Sequence, residues 1–241
     1  MLVKSRAIVL HALPYRENSL IVTLYTENSG RISCLVNSAR GGKSGNKAAL
    51  LQPLFILEAE YYQQKNRDLQ RMKEVRLLYP YHSVPFDVVK SAQVMFLAEV
   101  LYKLIREEES NPGIYSFLEN AFLFLDNMTA GKANFHLWFM VRFTEWAGIG
   151  PYLKEGTEGW FDLKKGVVSP HEPLHPFYMD RETTSIFRKI SGLNIEELDK
   201  LSINQEVRNM LTGKLLEYYH LHFENLGNFR SLAVLQEVFQ W

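Results

Sequence analysis

The stretch SLIVTLYTENSGRISCLVN, residues 19–37, decides the reading of the fold. Over Ser19–Thr26, Leu20, Val22 and Leu24 alternate with Ile21, Thr23 and Tyr25, the two-residue period of a strand. Glu27-Asn28-Ser29-Gly30 follows, residues that tolerate a tight turn and positive φ. Arg31–Asn37 then sets Ile32, Cys34 and Val36 on one face and Arg31, Ser33 and Asn37 on the other. Working outward, the apolar run Ala7-Ile8-Val9-Leu10 precedes a turn at Pro14–Asn18, and Phe55–Tyr62 alternates again. A polar turn over Gln63–Asp68 leads to a last run, Leu69–Leu77. Five strands in 80 residues suit a small closed barrel, since closure removes exposed edges; an open meander is the alternative.

The period changes after Pro80. Val94, Leu97, Ala98, Leu101 and Leu104 recur at helical spacing. Asn111-Pro112 reads as a capped helix start ahead of the stripe Ile114, Phe117, Leu118, Ala121, Phe122 and Leu125. Phe135–Ala147 continues helical to Gly148, and helices resume over 181–190, about 204–225 and 231–239. Between them, residues 150–181 look irregular, with a short hairpin over Trp160–Ser169. The expected organisation is α+β: a strand domain over 1–80 and a helical domain over 81–241 carrying that insertion.

The 241 residues are 46% hydrophobic, too much for a disordered chain. Cys34 is the single cysteine, so an internal disulfide and a cysteine-based zinc site are excluded. His11 interrupts the run Ala7–Leu13, which is not expected to act as a signal peptide, and no stretch approaches the roughly 18 apolar residues of a membrane helix. The expected compartment is the cytoplasm. The 27 basic and 27 acidic residues cancel overall but not locally. Residues 1–80 hold 12 basic and 6 acidic residues; residues 81–241 hold 15 and 21. That asymmetry suggests two modules with different partners, unless it is fluctuation of surface charge.

Enzyme motifs fail on inspection. Gly42-Lys43-Ser44 would need a glycine where Asn37 stands to form a phosphate loop. His171 and His175 lie among prolines, His220 and His222 diverge on a helix, and Glu107-Glu108-Glu109 reads as a solvated run. No catalytic residue and no resident cofactor is expected. The remaining signal is cationic. Arg6, Arg16, Arg31, Arg40, Lys43, Lys47, Lys65, Arg67, Arg71, Lys73 and Arg76 supply phosphate contacts, with Arg40, Lys43 and Lys47 on a glycine-rich loop. Tyr15, Tyr25, Tyr61 and Tyr62 are either stacking platforms, worth ~1–3 kcal/mol per base, or half-buried strand residues. OB-type single-strand binders combine such cations and rings.

Arg6–Leu10, the segment Pro14–Thr26, Gly30–Ser33, Asn37–Arg40 and Ala49–Leu54 together resemble the opening of the RecO family of bacterial DNA repair proteins, and the layout of the whole chain is similar. The resemblance implies an OB-fold followed by a helical domain. It implies binding of single- and double-stranded DNA, annealing of complementary strands, union with RecR, contact with the acidic tail of single-strand binding protein, and help in loading RecA. Carried onto this chain, it marks Arg6, Arg16, Arg31, Arg40, Lys43 and Lys47; Lys65, Arg67, Arg71 and Lys73 join them on charge alone. Lys132, Arg142, Arg188, Lys189 and Arg208 are candidates for the acidic tail. Many relatives hold a four-cysteine zinc site in the insertion, which here has no cysteine; its order is expected from packing of Trp160, Phe161, Val167 and Phe177. The alternative function is an OB-fold scaffold for a protein, or an RNA-binding module.

Overall fold

The computed structural model describes residues 1–37, 39, 47–64, 66–154, 156 and 158–239. They form two compact units, Met1–Asn127 and Met128–Trp241.

In the first unit, β1 (Leu2–Tyr15), β2 (Ser19–Thr26), β3 (Gly30–Val36), β4 (Ile56–Tyr62) and β5 (Leu69–Leu77) close into a barrel in the order β1-β2-β3-β5-β4. Strand β1 is far longer than its apolar run because it serves two partners. Its first half pairs with β4, Leu2 opposite Tyr62, and its second half with β2, Tyr15 opposite Ser19. The register shifts between Val9 and His11, where a bulge bends the strand from one partner to the other. The seam is a short parallel pairing of β3 and β5, Ser33 to Leu35 against Leu69 to Arg71. Ala7, Val9, Val22, Leu24, Cys34, Leu57, Ala59 and Tyr61 fill the interior. Burial pushes the Cys34 thiol up to about 12.

The strands end at Leu77 and the first long helix begins at Val88, but compactness divides the chain later. Helices α1 (Val88–Leu104) and α2 (Pro112–Asn127) lie in the same compact unit as the barrel. That cover explains the unalternated burial of Ala7, Ile8, Val9 and Leu10: one side faces the barrel core, the other the helices. Asp87 caps α1 by accepting from the Val89 and Lys90 N–H groups, and Asn111 accepts from Ile114 at the start of α2. The Asp126 carboxylate accepts three N–H groups, from His82, Ser83 and Val84 at 2.8–2.9 Å. Burial opposes its charge, yet these bonds together hold it below the usual carboxylate range. The buried Lys90 ammonium donates to Ser83 and to the Asp126 carbonyl, which fastens the barrel's exit to both helices.

The second unit is built on α3 (Phe135–Trp146), buried on nearly all sides. Around it lie α4 (Arg181–Gly192), a 3₁₀ turn over Ile195–Lys200, α5 (Gln205–His222) and α6 (Ser231–Val238). The insertion exceeds the expected hairpin. Strands β6 (Trp160–Asp162), β7 (Val167–Ser169) and β8 (Tyr178–Met179) form a three-stranded sheet with β6 central. No described helix is long and apolar enough to cross a membrane.

Candidate nucleic-acid interface

The barrel's cations separate into two kinds. Arg6 and Arg31, both expected on a binding surface, are clasps. Arg6 on β1 donates to both Glu27 carboxylate oxygens at 2.6 and 2.9 Å and to Glu119 of α2 at 2.8 and 3.0 Å, with its guanidinium 5.1 Å from the Tyr115 ring centre. The hydrogen bonds to Glu27 raise its pKa further and lower that of Glu27. Arg31 on β3 donates to the carbonyls of Tyr102, at 2.6 Å, and Ile105, where α1 ends. Those carbonyls carry the helix's negative end, and the guanidinium also lies 4.7 Å from the Tyr102 ring. Burial lowers its pKa. Gly30 permits this docking: its φ is +62°, and a Cβ there would sit 2.3 Å from the Glu109 carbonyl oxygen.

The outer face of β1, β4 and β5 is a neutral ladder. Lys4 pairs with Glu58 at 2.8 Å, Lys73 with Glu60 at 2.9 Å and Arg76 with Glu74 at 2.9 Å. Lys73, expected in the site, is therefore compensated by its cross-strand neighbour.

Four expected cations remain among the described residues, and they lie at the barrel's two ends. Arg16 sits exposed in the turn after β1, at φ +54°, its guanidinium over Tyr15 at 5.2 Å. Lys47 opens a 3₁₀ turn near it, since Ala39 donates to the Asn18 carbonyl and Ala48 to that of Ala39. Arg40 and Lys43 lie outside the described residues, as does Lys65. At the opposite end of β1 the structure brings together Arg67 and Arg71. Both are exposed, and among the described residues no carboxylate pairs with either. The β4–β5 loop that carries Arg67 is held by Gln70, which donates to Gln64 and accepts from its N–H at 2.8 Å, and by the Met1 ammonium, which donates to Gln63 at 2.9 Å.

Two adjoining clefts flank this loop, sharing Gln64, Arg67 and Gln70. One, of about 250 Å³, is polar and of mixed charge, adding Ser29, Ser33, Arg31 and Arg106 together with Asp68 and Glu108. The other, of about 310 Å³, adds Met1, Tyr62, Leu69 and Arg71. The tyrosines divide by strand alternation. Tyr25 and Tyr61 are buried, Tyr61 donating to Ser29 at 3.0 Å, whereas Tyr62 is 44% exposed beside Arg71, its partner in register. By residue type alone the four tyrosines group together; the period of β4, with Leu57, Ala59 and Tyr61 inward, singles out Tyr62.

In the second unit, Arg142 and Arg188 donate to backbone carbonyls of Leu193 and of Leu153 and Lys154, and half-buried Arg208 donates to Asn134 and the Ile203 carbonyl. These three brace the fold; Lys189 is exposed and Lys132 partly so. The insertion does not assemble the expected four-residue cluster. Phe161 alone turns into the helices, 4.9 Å from Phe187 and 5.6 Å from Tyr218, while Trp160, on the opposite face of β6, takes the Arg181 guanidinium and Phe177 the Lys164 ammonium. Asp162 accepts from the N–H groups of Lys164 and Lys165 and faces His175 Nε2 at 3.4 Å. These residues do not fit the zinc site that the resemblance attaches to this place: a turn-capping carboxylate and one imidazole stand there, without a thiolate. Among the described residues no three His, Cys, Asp or Glu side chains are placed to hold a metal.

A closed barrel of this strand order, with clefts at its β4–β5 loop, is an OB-fold protein of the oligonucleotide-binding architecture. Residues 1–81 match the family described as Recombination protein O N terminal, and residues 85–233 match Recombination protein O C terminal. The chain is 36% identical over 240 residues to the DNA repair protein RecO of Phocaeicola vulgatus, 37% over 241 to that of Bacteroides fragilis, and 35% over 240 to that of Flavobacterium psychrophilum. Each alignment spans 99% of this chain and the whole of the relative. The chain belongs to the RecO family of DNA repair proteins.

Proposed function

We propose that the chain is a non-enzymatic, metal-free mediator of recombinational repair in the cytoplasm. It holds single- and double-stranded DNA through the barrel, anneals complementary strands, and acts with RecR and the acidic tail of single-strand binding protein to help load RecA. The observation that carries the DNA-holding part is the pair Arg67 and Arg71, exposed on a barrel whose other described cations are largely braced or compensated. Cations so placed take phosphates without reading bases, and the counterions they release drive binding. Arg16 and Lys47 would engage a second stretch of backbone at the other end of the barrel. Two phosphate sites on one platform are what annealing asks of a protein that does no bond chemistry.

Titration of labelled single-stranded DNA at several salt concentrations tests this. Replacing Arg67 and Arg71 by alanine should lower the salt slope by about 1.4, near 0.7 for each phosphate of a single strand that no longer meets a cation. A wild-type protein that fails to bind at low salt, or a double variant with an unchanged slope, would move the interface elsewhere and favour a protein- or RNA-binding barrel.

A further inference from the structure

Phosphate contact alone does not account for the 310 Å³ cleft. Phosphate-binding surfaces need cations and N–H donors. This cleft instead gathers three exposed apolar side chains, Met1, Leu69 and Tyr62, and shares its lining with Arg67 and Arg71. Tyr62 is the last residue of β4, on the outer face after Glu58 and Glu60. Those two carboxylates are matched by Lys4 and Lys73, so the approach to the ring is not dominated by negative charge. Arg71 stands opposite Tyr62 in register, and Leu69 lies two residues before it on the same side of β5. The Met1 ammonium is pinned to the Gln63 carbonyl, which keeps the N-terminal side chain at the cleft. The volume lies at the small end of the range of ligand sites, roughly 300–1,000 Å³.

Resting on the DNA-binding reading above, we propose that this cleft receives one unpaired nucleobase. The base stacks on Tyr62, with Leu69 and Met1 closing over its edges and Arg67 and Arg71 on the flanking phosphates. Only an unpaired strand can supply a base in this way, because in a duplex both faces of each base are already covered. This end of the barrel thereby selects single strand over duplex. The selection is indifferent to sequence, since every base offers a π-face. Tyr62 is a specificity-determining residue in this scheme, distinct from the cations that set overall affinity.

The test compares three labelled probes of equal length: oligo-dT, an abasic strand with the same phosphates, and a duplex. The wild type should bind oligo-dT more tightly than the abasic strand by about 5- to 150-fold, the range one stacked base supplies. Tyr62→Ala should bring that ratio toward one, while Tyr62→Phe, which keeps the ring, should preserve it. A ratio that stays high in Tyr62→Ala overturns the base-pocket assignment while leaving the DNA-binding reading intact, as does a wild type that binds both strands equally. A wild type that binds none of the three probes at low salt overturns both.

Discussion

Replacing Arg6 by alanine separates a brace from a DNA contact. The guanidinium bridges Glu27, whose side chain is 30% exposed, and Glu119, whose side chain is 10% exposed. The Glu27 arm is close to a surface ion pair and contributes about 0.5–1 kcal/mol. The Glu119 arm is different: the carboxylate is largely withdrawn from water, and apart from Arg6 its partner is the Tyr115 hydroxyl at 3.3 Å. Losing a charged hydrogen-bond partner there costs about 1.5–2 kcal/mol. Arg6→Ala should therefore destabilise the first unit by about 2–3 kcal/mol, a fall in Tm on the order of 10 °C. Urea unfolding at neutral pH, followed through a probe in the barrel, measures it. In a double-mutant cycle the cost should shrink by more than about 1 kcal/mol once Glu119 is glutamine, because the buried charge is no longer stranded. The salt slope of DNA binding should stay where it was. A variant within about 0.5 kcal/mol of wild type whose slope falls by about 0.7 would refute the reasoning and return Arg6 to the phosphate-binding set.

Gly30→Ala should cost more than about 2 kcal/mol in thermal or urea melts, because φ +62° and the Glu109 carbonyl at 2.3 Å oppose the same methyl group. His136 is fully buried, and burial lowers its pKa to about 3. Its proton is therefore bound in the unfolded chain but not the folded one between pH 6.5 and about 3, and stability of the second unit should fall as pH drops through that window, by about 2 kcal/mol at pH 5. His136→Gln should flatten that dependence in urea melts run from pH 7 to 5. Metal analysis of the purified protein should find no stoichiometric zinc, and a chelator should leave the melting curve of the second unit unchanged; about one zinc per chain would defeat the metal-free assignment.

Local rules carried far in this chain. The alternation over Ser19–Thr26 and the run Leu69–Leu77 after a polar turn place β2 and β5 at their observed bounds, and Asn111-Pro112 opens α2 where cap chemistry says it should. What escaped was set by distance. Strand β1 runs from Leu2 to Tyr15 through Lys4, Ser5, Arg6 and Pro14, residues that break an apolar pattern but not a backbone ladder with partners on both sides. Strand β8 is two residues long and exists only because β6 is beside it. The roles of Arg6 and Arg31 depend on Glu119 and Ile105, which lie 113 and 74 residues away. Tyr62 was legible in principle, since the period that buries Tyr61 exposes its neighbour, yet rings counted without their faces look alike.

The charge of the first 80 residues is then a poor measure of how strongly the barrel would hold DNA on the proposed reading. Its 12 basic residues include Arg6 and Arg31, whose guanidinium groups are committed to carboxylates or helix carbonyls, and Lys4, Lys73 and Arg76, each beside a glutamate. An approaching phosphate would have to displace those partners and would gain little net charge in doing so. Among the described residues, no carboxylate pairs with Arg67 or Arg71 at one end of β1, while Arg16 and Lys47 lie at the other end. If the four described cations Arg16, Lys47, Arg67 and Arg71 met phosphates at once, the single-strand salt slope would be roughly 3, and if each end of the barrel worked alone it would be roughly half that. Because Arg16 and Arg71 sit toward opposite ends of β1, on the proposed reading a short oligonucleotide would satisfy one end only, and a longer strand or a second strand would be needed for the other. The arrangement that dilutes affinity for any one short strand is the one that leaves room for a complementary strand on the same platform.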